Sequence, residues 1–353
     1  MIAVFRACAL GFLRDRGGLA MTLLLPPLVY LLFASVFGSS SRGEIEASLS
    51  LYDEAQTPAS RALEQDLRSR LGRRQTTEPD AATVEAAVVA GRADVGAVLR
   101  PGANAFPDIE ILTAAGREVA AAAVAGQVRR MAVVGPPPPG APEVRIRTVG
   151  PPGDAQSVYY AGAVSIMFVF FAAMHGAMTG LDDRRSGLQA RLSLVAGGLG
   201  PILAGRAAWL TVVGVAQSLT ILAVAAPNLP PTQPWQIAAW MFTALLASVA
   251  AAGIALAVIA LCRSRDQAQP LSTFVVLLMA ALGGSMAPRF LMPDLIRQLG
   301  WATPHAWAIE AGQTLLWQGV MDKTVIAAWA VLGAAGIAGG FLALRIETRR
   351  APV

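Results

Sequence analysis

Six stretches of this chain are apolar for the length of a membrane crossing, and they limit what it can fold into more than any other feature. A helix that spans a bilayer takes about 20 mostly apolar residues. Leu19–Phe37, Tyr159–Gly180, Pro201–Ala226, Trp235–Leu261, Ala268–Met286 and Val325–Leu344 all qualify. Charge is spread unevenly around them. Residues 39–157 hold 28 of the 51 Asp, Glu, Lys and Arg side chains, 15 of them acidic and 13 Arg. The other 234 residues carry 15 basic and 8 acidic side chains, strung in short connections between apolar runs. This excludes a single water-soluble globule and a nucleic-acid binder with one basic face. The pattern predicts an α-helical polytopic membrane protein of six transmembrane helices, with an extracytoplasmic α/β domain inserted after the first.

The first apolar run exceeds the core of a signal peptide, about 7–15 residues, and is read as a retained anchor at 19–38. Its Pro26-Pro27 pair is tolerable where neighbouring helices supply donors to the freed carbonyls. Basic residues in short loops mark the cytoplasmic side. Arg6, Arg14, Arg16, Arg184, Arg185, Arg191, Arg206, Arg263, Arg265, Arg345, Arg349 and Arg350 all fall on one side of a six-span arrangement, and Pro227–Pro234 on the other carries none. Both termini are therefore expected in the cytoplasm and residues 39–157 outside it.

Within 39–157 the spacing predicts strands at Ser48–Tyr52, Asp94–Leu99 and Ile109–Leu112. A helix should start at Thr57-Pro58, where a capping hydroxyl precedes a proline, with Leu63, Leu67 and Leu71 on one face. Further helices are expected at Ala81–Ala90, with Val84 and Val88 on one side, and from Gly116 to Met131. The Pro-rich stretch 135–142 then reads as a stiff connector. Asp53, Glu54, Asp66 and Glu85 lie without a neighbouring histidine or cysteine and read as solvated surface; binding of a partner or head group suits this domain better than catalysis.

Several chemistries are excluded. The chain has one lysine, Lys323, preceded by Asp322, so it contains no Gly-Lys pair for a phosphate-binding loop. The two cysteines, Cys8 and Cys262, make no disulfide framework. The spans hold almost no ionisable residue, which argues against an ion-coupled carrier. His175, among Phe168, Phe170, Phe171 and Met174, reads as packed rather than as a relay, and His305 and Glu310 as residues of an outer mouth.

Three segments stand out. Met1–Arg16 places Ile2, Phe5, Ala9, Phe12 and Leu13 on one helical face ending at Arg14 and Arg16, as expected of an interfacial helix at 1–18. The loop 181–206 opens with the charge cluster Asp182 to Arg185 and continues as a short amphipathic helix, a surface for a soluble partner. The stretch 287–320, with Pro288, Pro293 and Pro304, is apolar but too interrupted to span, and predicts a re-entrant helical hairpin. Trp301, Trp307 and Trp317 would then sit at headgroup level.

These features together resemble the permease subunits of bacterial ATP-binding-cassette type-2 exporters that carry a large extracytoplasmic domain after the first span. The resemblance covers essentially the whole chain. It rests on Arg14-Asp15-Arg16 before the first span, and on Tyr52-Asp53, Pro58 to Leu63, Val84-Glu85 and Gly91 to Leu99 in the inserted domain. Asp183, Arg184, Arg185 and Gly187 match the entry to the coupling helix, with Leu188 standing where threonine is usual and Gly197-Gly198 where a proline is common. Its most specific part is the series Gly284, Pro288, Met292-Pro293, Pro304, Trp307, Glu310 and Gly319. The resemblance implies two soluble ATPase subunits that bind ATP and magnesium, so that this chain needs no cofactor, metal or catalytic residue of its own. They would dock through Asp183, Arg184, Arg185, Gly187 and Arg191. It also implies a second permease copy or a sister permease, membrane lipids as surroundings, no nucleic acid, and location in the bacterial inner membrane; a periplasmic adaptor is a further candidate partner. Spans 2 and 5 line the path in relatives, which points to Phe168, Phe171, Met174 and Met279. An apolar, Met-bearing path favours a hydrophobic or amphipathic cargo such as a drug, lipid or lipid-linked product. A membrane scaffold doing mechanical work on an exported partner, or a sensor using the outer domain, are the alternatives.

Overall fold

The computed structural model describes residues 1–38, 49–70, 75–90, 92–93, 95–102, 107–114, 121, 124–126, 128, 144–149, 155–193, 198–287, 289 and 292–350. Two compact units emerge, one built from Met1–Phe33 and Ser157–Val353 and the other from Ala34–Gln156.

The chain opens with helix α1 (Ile2–Arg14) and helix α2 (Arg16–Gly38). Pro26 and Pro27 lie inside α2. A proline has no N–H for the carbonyl four residues back, so Pro26 orphans the carbonyl of Thr22. The Gln217 side-chain amide donates to that oxygen at 2.7 Å. One identifiable donor thus serves the carbonyl that Pro26 frees.

The α/β unit contains β1 (Leu49–Asp53), α3 (Pro58–Arg70), β2 (Gln75–Thr77), α4 (Ala81–Val89), β3 (Val95–Arg100), β4 (Asp108–Ala114) and β5 (Val144–Val149). The five strands run in the order β2-β1-β3-β4-β5. β1 pairs in parallel with β2 and β3, β3 with β4 antiparallel, and β4 with β5 in parallel. Leu49, Leu51, Ala97, Leu99, Ile109 and Ile111 form a core with Leu67 of α3, and with Val124 and Val128, which are helical in the expected 116–131 segment. Val84 and Val88 of α4 press on the other face at Gly96, where a Cβ would come within 2.7 Å of Val84 Cγ1. Burial on both faces explains why β3 is apolar almost throughout. α4 starts at Asp80, whose carboxylate accepts from the Thr83 amide at 2.6 Å and the Thr83 hydroxyl at 2.7 Å. The connector expected at 135–142 lies outside the described residues.

The first unit resumes with α5 (Ala155–Ala177), α6 (Thr179–Arg185), α7 (Leu188–Ser193), α8 (Gly200–Ala225), α9 (Pro234–Leu261), α10 (Arg265–Gly283), α11 (Asp294–Gly300), α12 (Pro304–Leu316) and α13 (Lys323–Arg350). Four stretches among the described residues are long and apolar enough to cross a membrane: Ser157–Arg185, Gly200–Asn228, Pro234–Leu261 and Lys323–Arg350. The first and fifth expected spans fall short of that measure. The apolar part of α2 is the shorter Gly17–Leu32, and α10 begins with Arg265, Asp266 and two glutamines, so its apolar stretch is short. The helices α9 and α13 meet backbone to backbone: a methyl on Gly253 would fall inside the Gly336 carbonyl, and one on Gly339 would lie 2.5 Å from the carbonyl carbon of Gly253. Small residues allow this approach where no hydrophobic drive separates helix from lipid.

Candidate functional site

The densest polar cluster of the helical unit is built on α6 and α7. Asp182, Asp183 and Arg184 follow one another, so their side chains leave the helix in three directions, and each finds a partner on a different helix. Asp182 takes both forks of Arg265 at the start of α10, with Nε donating to Oδ1 at 2.8 Å. Asp183 pairs with Arg206 in the first turns of α8. Gly180 leaves room for that guanidinium, since a Cβ there would lie 2.8 Å from Arg206 Nη1. Arg184 pairs with Glu347 near the end of α13 and donates from Nη1 to the Cys262 carbonyl at 3.0 Å. Glu347 in turn accepts from the Gln189 amide of α7 at 2.7 Å.

Arg350 completes the arrangement by donating to the carbonyls of Ala260 at 2.5 Å, Leu261 at 3.1 Å and Cys262 at 3.3 Å. These are the acceptors that the C-terminus of an α-helix leaves open, and cations there are favoured by the helix dipole. Between α6 and α7 the chain turns at Gly187, with φ of +71°, a conformation that glycine adopts without steric cost. Asp182 stays about half exposed in its pair with Arg265, while Asp183 and Arg184 are more covered; Arg185, Leu188 and Arg191 are exposed on this element. Beside it, α1 packs Phe5 and Phe12 edge-on against Trp209 of α8, at 5.5 and 5.6 Å, with Ile2, Leu10 and Leu13 exposed.

A second cluster organises the hairpin of α11 and α12. Arg289 is buried and donates from Nε to Glu310 at 2.8 Å, while its guanidinium lies 4.3 Å from the Trp301 ring centre. The Tyr159 hydroxyl accepts from the Arg289 amide at 3.2 Å and donates to the Gly284 carbonyl at 2.7 Å. Trp307 lies tilted against Trp301 with ring centres 4.5 Å apart and donates from Nε1 to its carbonyl at 2.7 Å. Gly284, with φ of +103°, closes α10.

The family profile described as "ABC-2 family transporter protein" matches residues 16–345. The chain belongs to the ABC-2 transporter family. No curated protein matches it in a sequence comparison. Membership makes it a multi-pass membrane transport component, a permease subunit of a family that partners ATPase subunits.

The expected site residues of this ABC-2 chain are placed as follows. Of the five expected to face an ATPase, Asp183 and Arg184 are ion-paired within the chain, Gly187 makes the turn, and Arg185 and Arg191 face outward. Gly284, Glu310 and Trp307 meet in the hairpin cluster; Pro293 precedes α11, Pro304 opens α12, and Pro288 lies outside the described residues. Phe168 and Phe171 contact each other at 6.2 Å, Met279 is half-buried and Met174 is fully buried inside the bundle.

Both histidines differ from expectation. His175 is exposed. It is His305 that is fully buried, 4.7 Å from the Phe170 ring, with neither ring nitrogen hydrogen-bonded among the described residues. Trp317, expected at headgroup level, is buried in the chain. In the α/β unit, Asp53 accepts from the Ser60 hydroxyl at 2.6 Å and the Gln56 amide at 3.0 Å, and Glu85 pairs with Arg147 at 2.8 Å, so these carboxylates serve the fold. Arg289, Glu347 and Arg350 were not singled out from the sequence. Arg350 entered only as one of the cytoplasmic arginines, and the partners of the three lie 21, 163 and 90 positions away, so only the fold gives them meaning.

Proposed function

We propose that this chain is the membrane subunit of an ATP-driven exporter, with six spans, both termini in the cytoplasm of a bacterial cell at its inner membrane, and the α/β unit outside. Two copies, or this chain and a sister permease, form the pathway, and two ATPase subunits dock on the exposed face of α6–α7. The observation that supports this reading best is the triple ion pairing beneath that element. A loop whose only task was to join two spans has no need of anchors to α8, α10 and α13 together. One that receives a push from a soluble motor does, because the push must reach the spans. The cargo is hydrophobic or amphipathic, consistent with a pathway lined by Phe168, Phe171 and Met279 and carrying no charge.

The test is capture of the detergent-solubilised chain with mass spectrometry of what accompanies it. A phosphate-loop ATPase is expected, and it should be lost from the Arg185→Glu, Arg191→Glu double variant while the permease stays folded. Recovery of no ATPase from the unaltered chain under mild conditions would refute the reading. ATP-dependent uptake into vesicles of a hydrophilic polyanion, and of no amphiphile, would refute the cargo class.

A further inference from the structure

Glu347 is the one carboxylate of α13, set among Arg345, Arg349 and Arg350 at its end, and is about 5% exposed. Holding an ion there is costly unless it is paired and its remaining lone pairs are met. Both oxygens are engaged, and both partners belong to the α6–α7 element: Arg184 on Oε1 and Gln189 on Oε2. Three residues on, Arg350 reaches from the same helix to the carbonyls of Ala260, Leu261 and Cys262 at the end of α9. Arg184 shares the Cys262 carbonyl. The last turn of α13 is therefore tied to α6–α7 on one side and to the end of α9 on the other. Farther along, Gly253, Gly336 and Gly339 hold α9 and α13 at backbone contact, so neither can slide past the other without separating.

We propose that Glu347 is the positioning residue through which a displacement of α6–α7 is passed to the paired helices α9 and α13. The inference rests on the reading of α6–α7 as the ATPase-docking element. The neighbouring Asp182 and Asp183 fasten the same element to α10 and α8, each through one ion-pair partner. The α13 connection is the only one of the three, among the described residues, in which one buried group receives two residues of the element.

The experiment uses the full chain with its captured ATPase, reconstituted in lipid discs, in a Cys8→Ser background with a reporter cysteine at Val320, Met321 or Ile326. These positions are exposed around the start of α13, far from Glu347 along the helix. The readout is the change in maleimide reaction rate between the nucleotide-free and ATP–vanadate states. In the parent it should change at one or more of the three positions. In Glu347→Ala the change should shrink by at least about fivefold, the low end of coupling between sites, while ATPase capture and turnover persist. Glu347→Gln, which keeps the size and the bond to Gln189, should fall between and decides alone if the alanine variant does not accumulate. Loss of ATPase capture along with the response would mean that Glu347 only holds the docking surface, and would overturn the proposal. An undiminished response in the variants, or none at any position in an ATPase-bound parent, would also overturn it. Failure of the parent to capture an ATPase would instead refute the docking reading on which it rests.

Discussion

The bond from Gln217 to the Thr22 carbonyl allows the proline account of α2 to be tested by a double-mutant cycle. Replacing Gln217 by leucine removes the donor, and Thr22 is left with a carbonyl that Pro26 cannot serve. Replacing Pro26 by alanine restores an N–H four residues ahead of that carbonyl, so the helix supplies its own donor. Loss of Gln217 should then cost less in the Pro26→Ala background than in the parent. The single-variant cost is a poor guide, because the side-chain oxygen of Gln217 is itself buried without a partner among the described residues, and leucine removes that penalty too. The difference between backgrounds isolates the bond. Hydrogen bonds between membrane helices measured in this way average about 0.6 kcal/mol and reach about 1.7 kcal/mol. At 2.7 Å, to an oxygen that Pro26 cannot serve, this one belongs in the upper half of that range. Reversible unfolding of the four proteins in mixed micelles, followed by tryptophan fluorescence, would supply the free energies. Equal costs of Gln217→Leu in the two backgrounds would refute the reasoning, since the bond would then be an incidental contact.

Other expectations follow from the same packing. Gly253→Ala should destabilise the helical unit by about 1–3 kcal/mol through overpacking, whereas Gly162→Ala, with nothing within 4 Å of the added Cβ, should be neutral or slightly stabilising; thermal melts in detergent distinguish them. Arg184→Ala should cost about 3 kcal/mol or more because it leaves Glu347 buried without its counter-charge, while Arg185→Ala should leave stability unchanged, as the same melts would show. Asp80 is fully exposed, and its bonds from Thr83 hold the carboxyl below the usual carboxylate range. A depressed value means its contribution is present above the unfolded value, about pH 3.9, and is lost as pH falls through the folded one. Limited proteolysis at α4 should therefore rise with acid in the parent, and already at neutral pH in Asp80→Ala.

How much of this was legible beforehand depended on whether the signal was local. The spans carried by α5, α8, α9 and α13 declare themselves by twenty or more mostly apolar residues, and β3 by an almost uninterrupted apolar run. The helix at Pro58 was visible from Thr57-Pro58, a capping hydroxyl beside a first-turn proline; the part that Asp53 plays through Ser60 was not. β2 was not, because Gln75-Thr76-Thr77 is three polar residues whose pairing with β1 is what makes them a strand. β5 was hidden by arginines at 145 and 147, one of which pairs with Glu85 and Glu110 on other elements. In the candidate site, the charges of α6 drew attention through clustering, but their direction could not be read. Arg184 and Arg185 are indistinguishable in sequence, yet one faces Glu347, 163 positions away, and the other faces outward. The two histidines were misjudged for the same reason: their surroundings are set by helices far away in the chain.

The guanidinium caps on α9 have a consequence for how the protein fits its bilayer. The helix has 28 residues and is about 42 Å long at 1.5 Å per residue, against a hydrocarbon layer of about 30 Å. Two arginines hold its last carbonyls, and arginine heads stay at the water boundary, so that end is fixed in depth. Any mismatch with a thicker or thinner membrane must then be absorbed by tilt or at the opposite end, where Pro234 and the exposed Trp235 begin the helix. Anchored at one face only, α9 registers membrane thickness at the other.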